Sequence, residues 1–172
     1  MLRFICLCSV LLLIGCSRSD WKEYVAPDGS FSVLLPKVPE ERTMVVRNMA
    51  YGPMPVKEIM VEKDKLGFRL SWVDCPISSL SNAPATESLD YARDSVIKVV
   101  QGELLGEKYI SLNGYAGRYI RIATVGGAAT VVANIYLVND RIYMLQVICS
   151  KEDAFRPEIQ KYLDSFKLKS SH

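Results

Sequence analysis

The sequence predicts an α+β domain, a mostly antiparallel sheet whose apolar faces are covered by two amphipathic helices in two or three layers. Three observations lead there. Short stretches rich in β-branched and aromatic residues, several of them alternating apolar and polar, recur along the chain. Two segments carry helical spacing instead: Leu89, Ala92, Val96 and Val99, then Ile159, Tyr162, Leu163 and Phe166. In the second half, turn signals only a few residues long separate the strands, which is antiparallel connectivity.

The N-terminus is not part of that domain. Arg3 supplies a basic residue, and Phe4 to Ile14 follow as an eleven-residue run, apolar except for Ser9. A membrane-spanning helix needs about 20 apolar residues. The run is too short for one and fits the hydrophobic region of a secretory signal. Leu13-Ile14-Gly15-Cys16 closes it and resembles the bacterial lipobox. That resemblance implies cleavage before Cys16, a diacylglycerol thioether on its sulfur and acylation of the new amine. Two or more acyl chains, at about 0.8 kcal/mol per buried CH₂, hold a protein at a bilayer where a single chain holds marginally. The expected address is therefore a bacterial cell envelope, lipid-anchored and facing the periplasm. Ser17, rather than Asp, after the cysteine implies the outer membrane where two membranes are present. On this reading 1–15 is the signal, 16–23 the lipidated cysteine and a short tether, and 24–169 the domain. The seven residues from Ser17 to Glu23 reach at most about 25 Å, which keeps the domain near the bilayer. Trp21, within them, suits either the lipid interface or the domain edge.

Pro27-Asp28-Gly29-Ser30 is a turn, and Phe31 to Leu35 a strand stopped by Pro36 and Pro39. Residues 42–50 form a second strand, broken by Gly52-Pro53-Met54-Pro55. Val56 to Glu62 is a third, Lys63-Asp64-Lys65 a polar turn, and Leu66, Phe68, Leu70 and Trp72 mark one face of a fourth. Residues 75–85 form a loop with Pro76, Pro84 and several serines. The first helix follows, with Thr86 as cap, Glu87 and Asp90 near its N-terminal end and Gly102 as its stop. Four strands in tandem then form a meander: Glu103 to Leu112, Tyr115 to Thr124, Ala128 to Val138 and Arg141 to Cys149. Asn113-Gly114 is its strongest hairpin signal. Ser150-Lys151-Glu152-Asp153 resembles a capping box for the last helix, with Pro157 in the first turn.

Three patches are familiar together. Asp28-Gly29-Ser30-Phe31-Ser32-Val33-Leu34-Leu35-Pro36, Gly114-Tyr115-Ala116-Gly117-Arg118 and Tyr162-Leu163-Asp164-Ser165-Phe166-Lys167-Leu168 resemble the PsbP/DcrB-like superfamily of bacterial lipoproteins. The likeness covers roughly residues 22–168. The superfamily shares its fold with the photosystem II extrinsic protein PsbP and a eukaryotic Ran-nucleotide-release factor. It implies an α/β/α sandwich and a role in binding or assembly. Its motifs are turn and core residues, so it implies no catalytic set.

Composition narrows the function. Hydrophobic residues at 49% and charged residues at 23% exclude a disordered chain and a polytopic membrane protein. A net charge of +2 lacks the basic surplus that nucleic-acid binding requires. The single histidine, His172, leaves no internal base for a Ser or Cys nucleophile. No phosphate-binding glycine motif is present, and Gly126-Gly127 leads into a strand rather than a helix. Asp74 and Glu58 are the carboxylates on or beside strands, expected to be solvent-facing charges. No catalytic residue, metal site or cofactor is expected.

Cys75 and Cys149 remain once the signal is cut and Cys16 is lipidated. They form a possible disulfide in an oxidising compartment, or stay as buried thiols. Tyr51, Pro53, Met54 and Pro55 make an apolar segment of low conformational freedom, either a partner-binding anchor or a connector tucked on the domain. Tyr109, Tyr115, Tyr119, Tyr136 and Tyr143 concentrate in the meander, as strand residues or as an interface. The sequence thus supports a non-enzymatic binding or assembly module, with an unidentified envelope protein and the bilayer as partners. Its alternative is a carrier of a small apolar ligand held between sheet and helix.

Overall fold

The structure, a computed structural model, describes residues 20–48, 52–75 and 85–169. Within these, ten strands form two antiparallel sheets. The smaller has order β1-β2-β10, from Lys22–Val25, Phe31–Leu35 and Lys167–Leu168. The larger has order β3-β4-β5-β9-β8-β7-β6. Its strands are β3 Glu40–Asn48, β4 Gly52–Lys63, β5 Leu66–Asp74, β6 Glu103–Leu112, β7 Tyr115–Ala123, β8 Thr130–Val138 and β9 Arg141–Cys149. Helices α1 (Ala85–Val100) and α2 (Pro157–Asp164) complete the described elements, with two short 3₁₀ turns.

Period two divides the large sheet into two apolar faces. One carries Ile59, Phe68, Leu70, Trp72, Tyr143, Leu145 and Val147, packed against Phe31, Val33 and Leu35 of β2 and Ile159, Tyr162 and Leu163 of α2. The other carries Ile120, Ile122, Val131, Ala133 and Ile135, packed against Leu89, Ala92 and Val96 of α1. The layers are therefore α1, the seven-stranded sheet, and the small sheet together with α2. This bears out the α+β, mostly antiparallel expectation, with one addition: the second outer layer is part sheet.

Phe31 joins the layers. It is fully buried and meets Trp72 and Tyr143 edge-on at ring distances of 5.1 and 5.6 Å, with Phe166 at 5.5 Å. The turn before it is fixed by Asp28, whose Oδ1 accepts from the Ser30 amide at 3.1 Å and the Ser30 hydroxyl at 2.6 Å. Gly117 has a packing role. A Cβ there would lie 2.6 Å from Tyr136 Cδ1 and 2.7 Å from the Ile135 carbonyl, because Tyr136 lies across its cross-strand partner. The Tyr136 ring then stacks on Phe166 at 6.0 Å.

Several expectations need correction. Lys22–Val25 is a strand paired with β2, so β1 takes up residues assigned to the tether. Trp21 sits on the domain, edge-on to Phe68 at 5.4 Å. Gly52 to Pro55 do not break a strand: they pair with Asn48 to Val45 as the start of β4. Both prolines turn their missing N–H away from β3, and the β4–β5 ladder begins only at Val56. Pro55 would stand opposite Asp74 and has no N–H to continue that ladder. Helix α1 ends in a Schellman motif with Gln101, not Gly102, in the left-handed region at φ 47°. Gln101 N–H bonds the Lys98 carbonyl and Gly102 N–H the Ile97 carbonyl. Gly102 is needed for clearance, since a Cβ there would lie 2.2 Å from the Ala123 carbonyl oxygen. Val99, in phase with the buried face of α1, is 79% exposed. Ser150 Oγ accepts from the Asp153 amide at 3.3 Å, within the 3₁₀ turn Glu152–Phe155, and does not cap the last helix. Arg156, extended before Pro157, separates the two. Phe166 lies beyond α2, between Ser165 and β10.

Candidate binding surfaces

Most buried charges of the domain are spent on holding elements together. Arg141, at the start of β9, donates from Nη1 to Asp28 Oδ2 at 2.8 Å and from Nη2 to Asp74 Oδ2 at 3.2 Å. It fastens the Pro27–Ser30 turn to the end of the large sheet. Burial pushes the Asp28 carboxyl up, but the Ser30 hydroxyl, the Ser30 amide and Arg141 outweigh it and hold it at about 2. Beside Arg141 lies a polar cleft of about 520 Å³, with Asn113, Tyr115, Asn139 and Lys169 among its walls. Arg141 itself is fully engaged, so the cleft offers no free guanidinium.

A second network docks α1. Arg118 of β7 is buried, and its guanidinium reaches Asp90 of α1 at 2.5 Å and Glu107 of β6 at 3.3 Å. Arg93 of α1 reaches the same Glu107 at 3.1 Å. The Tyr109 ring covers the Arg118 guanidinium at 4.0 Å. A third pair, Glu58 Oε2 with Arg69 Nη2 at 2.6 Å, crosses from β4 to β5 with the Glu58 side chain 2% exposed.

Asp74 is exposed as expected, but Glu58, expected to face solvent, is buried against Arg69. Glu58 stands opposite Ser71, on the α1 face of the sheet, whereas Asp74 falls in step with Trp72 on the other face. The two cannot converge on one substrate. Among the described residues no group of three or more His, Cys, Asp or Glu is placed to hold a metal ion. No helix among them is long and apolar enough to cross a membrane.

The cysteines do not bridge. Cys75 follows β5, and its amide bonds the Asp140 carbonyl at 2.7 Å. Cys149 stands opposite Thr130 at the far end of β9, where its thiol contacts the Thr130 carbonyl at 3.6 Å. Arg141, paired with Asp74, is eight residues from Cys149 along one strand, a separation of roughly 27 Å at about 3.4 Å per residue. A disulfide needs Cα atoms within about 7 Å. Both are free thiols, one half-buried and one buried, and burial pushes the pKa of each up.

The remaining surface of interest is apolar. Helix α1 lies over β7 and β8, at the β6 end of the sheet, and leaves the same face of β3, β4 and β5 without a covering helix among the described residues. Register builds one row there from Met44, Val56, Val73 and Ile142. Val96, Val99 and Val100 form the helix wall, and the result is an open groove of about 240 Å³. Met54, opposite Val46, is half-buried on this face, and Pro53 and Pro55 are exposed on the other; Tyr51 and Cys16 lie outside the described residues. Of the tyrosines, Tyr136 and Tyr143 are core residues and Tyr109 is exposed over Arg118. The signals for the groove were Val99 in helical phase and the alternation of Met44 with Val46, but its walls come from six elements spread along the chain.

The three-layer arrangement is a PsbP-like fold. It is similar to the solution structure of cyanobacterial PsbP (CyanoP) from Synechocystis sp. PCC 6803, with a TM-score of 0.61 and 11% identity over 90% of this chain and 96% of that one. A second similar structure is that of PA94 from Pseudomonas aeruginosa, a protein of unknown function described as a putative regulator, with a TM-score of 0.44 and 12% identity over 80% of this chain and 88% of that one. No protein-family model and no curated protein matches the chain.

Proposed function

We propose that this protein is a lipid-anchored binding or assembly module of the bacterial envelope, moored through Cys16 and performing no catalysis of its own. The observation that carries the reading is the division of its surface. Arg141, Arg118 and Arg69 are each committed to carboxylates that fasten elements together, while the uncommitted surface on the β3–β4 side is apolar. Such a surface recognises a partner by burial. Met54, opposite Val46, extends it, while Pro53 and Pro55 lie on the other face of the same strand, and Tyr51 belongs to the same segment. The resemblance to PsbP/DcrB-like proteins supports a binding role, and the sequence around Cys16 supports the mooring, with the periplasm as the compartment. The test is photocrosslinking in intact cells from position 54, with Cys16→Ala protein fractionated alongside. A reproducible envelope protein and release of Cys16→Ala to the soluble fraction are expected. No crosslinked protein, or Cys16→Ala retained on the membrane, contradicts the reading.

The groove between sheet and α1 favours one second reading, carriage of a small apolar ligand. Its floor is apolar, and its volume, about 240 Å³, is below the roughly 300–1,000 Å³ usual for a ligand site, so only a small or partly exposed ligand would fit. Lipid recovered in stoichiometric amount from purified protein, and lost on Val73→Trp, supports carriage. A ligand-free preparation that binds no fluorescent naphthylamine probe rules it out.

A further inference from the structure

The two ends of the large sheet differ in what they expose. At one end, the turns at Asn113 and at Asn139-Asp140 border the polar cleft beside Arg141. The other end collects apolar side chains. It is formed by the 36–39 link, the 63–66 turn, the end of α1, the 124–129 turn and the 3₁₀ turn Glu152–Phe155. Of the six most exposed large apolar side chains among the described residues, four belong to it: Val38 at 84%, Val99 at 79%, Phe155 at 73% and Val125 at 63%. The remaining two sit elsewhere, Tyr109 over Arg118 and Val45 on the β3 edge.

Register and contacts bring these positions together. Lys63 pairs with Leu66 across the β4–β5 turn, and Arg156, next to Phe155, donates to the Asp64 carbonyl of that turn at 2.8 Å. The Phe155 ring lies over the Arg121 guanidinium at 4.4 Å, two residues before the end of β7. Ala123, at that end, stands opposite both Glu103 and Thr130, and Thr130 opposite Cys149. The end of α1, the 124–129 turn and the end of β9 therefore close the same side. Leu35, just before the 36–39 link, stands opposite Lys22. The chain enters the domain here too. Asp20 pairs with Lys63 at 3.7 Å, and Trp21 packs on Phe68. Cys16 lies four residues before Asp20, a reach of at most about 14 Å.

We propose that this end of the domain rests on the lipid bilayer, with Val125 and Phe155 in the interface between headgroups and acyl chains and Val38 and Val99 flanking them. The proposal deepens the proposed function and rests on the mooring at Cys16. A lipid so few residues from Asp20 holds this end against the membrane, and the apolar side chains gathered there are what an interface accepts. The charges at this end are of both signs and pair with one another, Lys63 with Asp20 and Arg156 with Glu158 at 2.9 Å. The contact is therefore made by insertion of apolar side chains and not by attraction to anionic lipid. The strands of the large sheet then rise from the membrane. Met54, nine residues along β4 from Lys63, is held clear of the bilayer for a partner.

The test uses the full chain, extracted from membranes and reconstituted in phosphatidylcholine vesicles. In a Cys75→Ala background, with Cys149 buried, Val125→Cys or Phe155→Cys takes a nitrobenzoxadiazole label. Asn113→Cys, at the far end of β7 and roughly 27 Å away at about 3.4 Å per residue, is the reference. Labels at 125 and 155 are expected to emit to the blue and to be quenched by shallow doxyl-labelled lipid rather than by aqueous iodide, as befits a depth of about 5–10 Å. The label at 113 shows the reverse, and neither salt nor added anionic lipid changes the pattern. In the Cys16→Ala chain, free in solution, iodide reaches all three labels. Thermal transitions check that each variant folds. Labels at 125 and 155 as open to iodide as the one at 113, on a chain whose Cys16 carries lipid, overturn the proposal and leave the mooring standing. Shielding that persists in the soluble Cys16→Ala chain overturns it in favour of a protein covering this end. Label taken up at residue 16 of the Cys75→Ala chain reveals a bare thiol and removes the mooring and the proposal together.

Discussion

Truncating Phe31 to Ala tests how the small sheet is seated on the large one. Phe31 opens β2 and is fully buried. Its ring meets Trp72, Tyr143 and Phe166 at 5.1 to 5.6 Å. Truncation of a buried Phe costs about 3–5 kcal/mol, transfer and cavity together. The neighbours belong to β5, β9 and the segment before β10, so they cannot collapse into the space as one unit, and a cost of about 4 kcal/mol follows. For a domain of this size each kcal/mol moves the transition by about 2–4 °C, so Tm falls by about 8–16 °C. The assay is thermal and urea unfolding followed by circular dichroism, with Trp fluorescence as a local probe because Trp72 touches the truncated ring. Val25→Ala, at an exposed position of β1, is the control and stays within about 0.5 kcal/mol. A loss below about 1 kcal/mol for Phe31→Ala would refute the seating.

Three further outcomes follow from the ion pairs and thiols. Asp28, held at about 2 in the fold, contributes stability that is complete above the ordinary carboxylate value of about 3.9 and is lost as pH falls through 2. Because its side chain is 38% exposed, screening limits this to about 1 kcal/mol or less. Asp28→Asn should therefore lose less stability than the parent between pH 4 and 2, measured by urea midpoints; equal losses contradict the assignment. Arg118→Met unfastens α1 from β7 and costs about 1–2 kcal/mol, below the 3–5 of a fully buried pair because Asp90 and Glu107 reach solvent. Loss of helical signal at 222 nm before the sheet transition would be its signature, and a variant as stable as the parent denies the latch. Alkylation in denaturant without reductant should modify both Cys75 and Cys149, and alkylation of the native chain should spare Cys149. A mass short by two hydrogens, signalling a bridge, would contradict the separation along β9.

Local chemistry was the most legible part of the sequence. Asn113-Gly114 has the paired positive φ of a tight hairpin, 51° and 86°, because only such residues accept that turn at little cost. The meander β6–β7–β8–β9 follows directly from turns of this kind. Strand β1 was illegible: it is held by its main-chain ladder to β2 rather than by burial, since three of its four residues are exposed, and KEYV carries no alternation of its own. Gly52 to Pro55 misled because proline reads as a breaker, whereas an edge that runs past its neighbour tolerates it. Phe166 kept helical phase with Ile159 although the helix had ended at Asp164, since one more turn of spacing and a short extended step place an apolar side chain on the same core. The separation of the cysteines needed the register of β5 with β9, and the groove needed the position of α1. Both are long-range facts that no window of sequence contains.

The proposed envelope role rests on the proposed mooring at residue 16. Its most direct test is the mass of the N-terminal peptide released by protease from the membrane-extracted protein. The account predicts a peptide that begins at Cys16 and carries diacylglycerol on sulfur and an acyl group on its amine. A mature chain that begins elsewhere, or a bare thiol at that position, would contradict it.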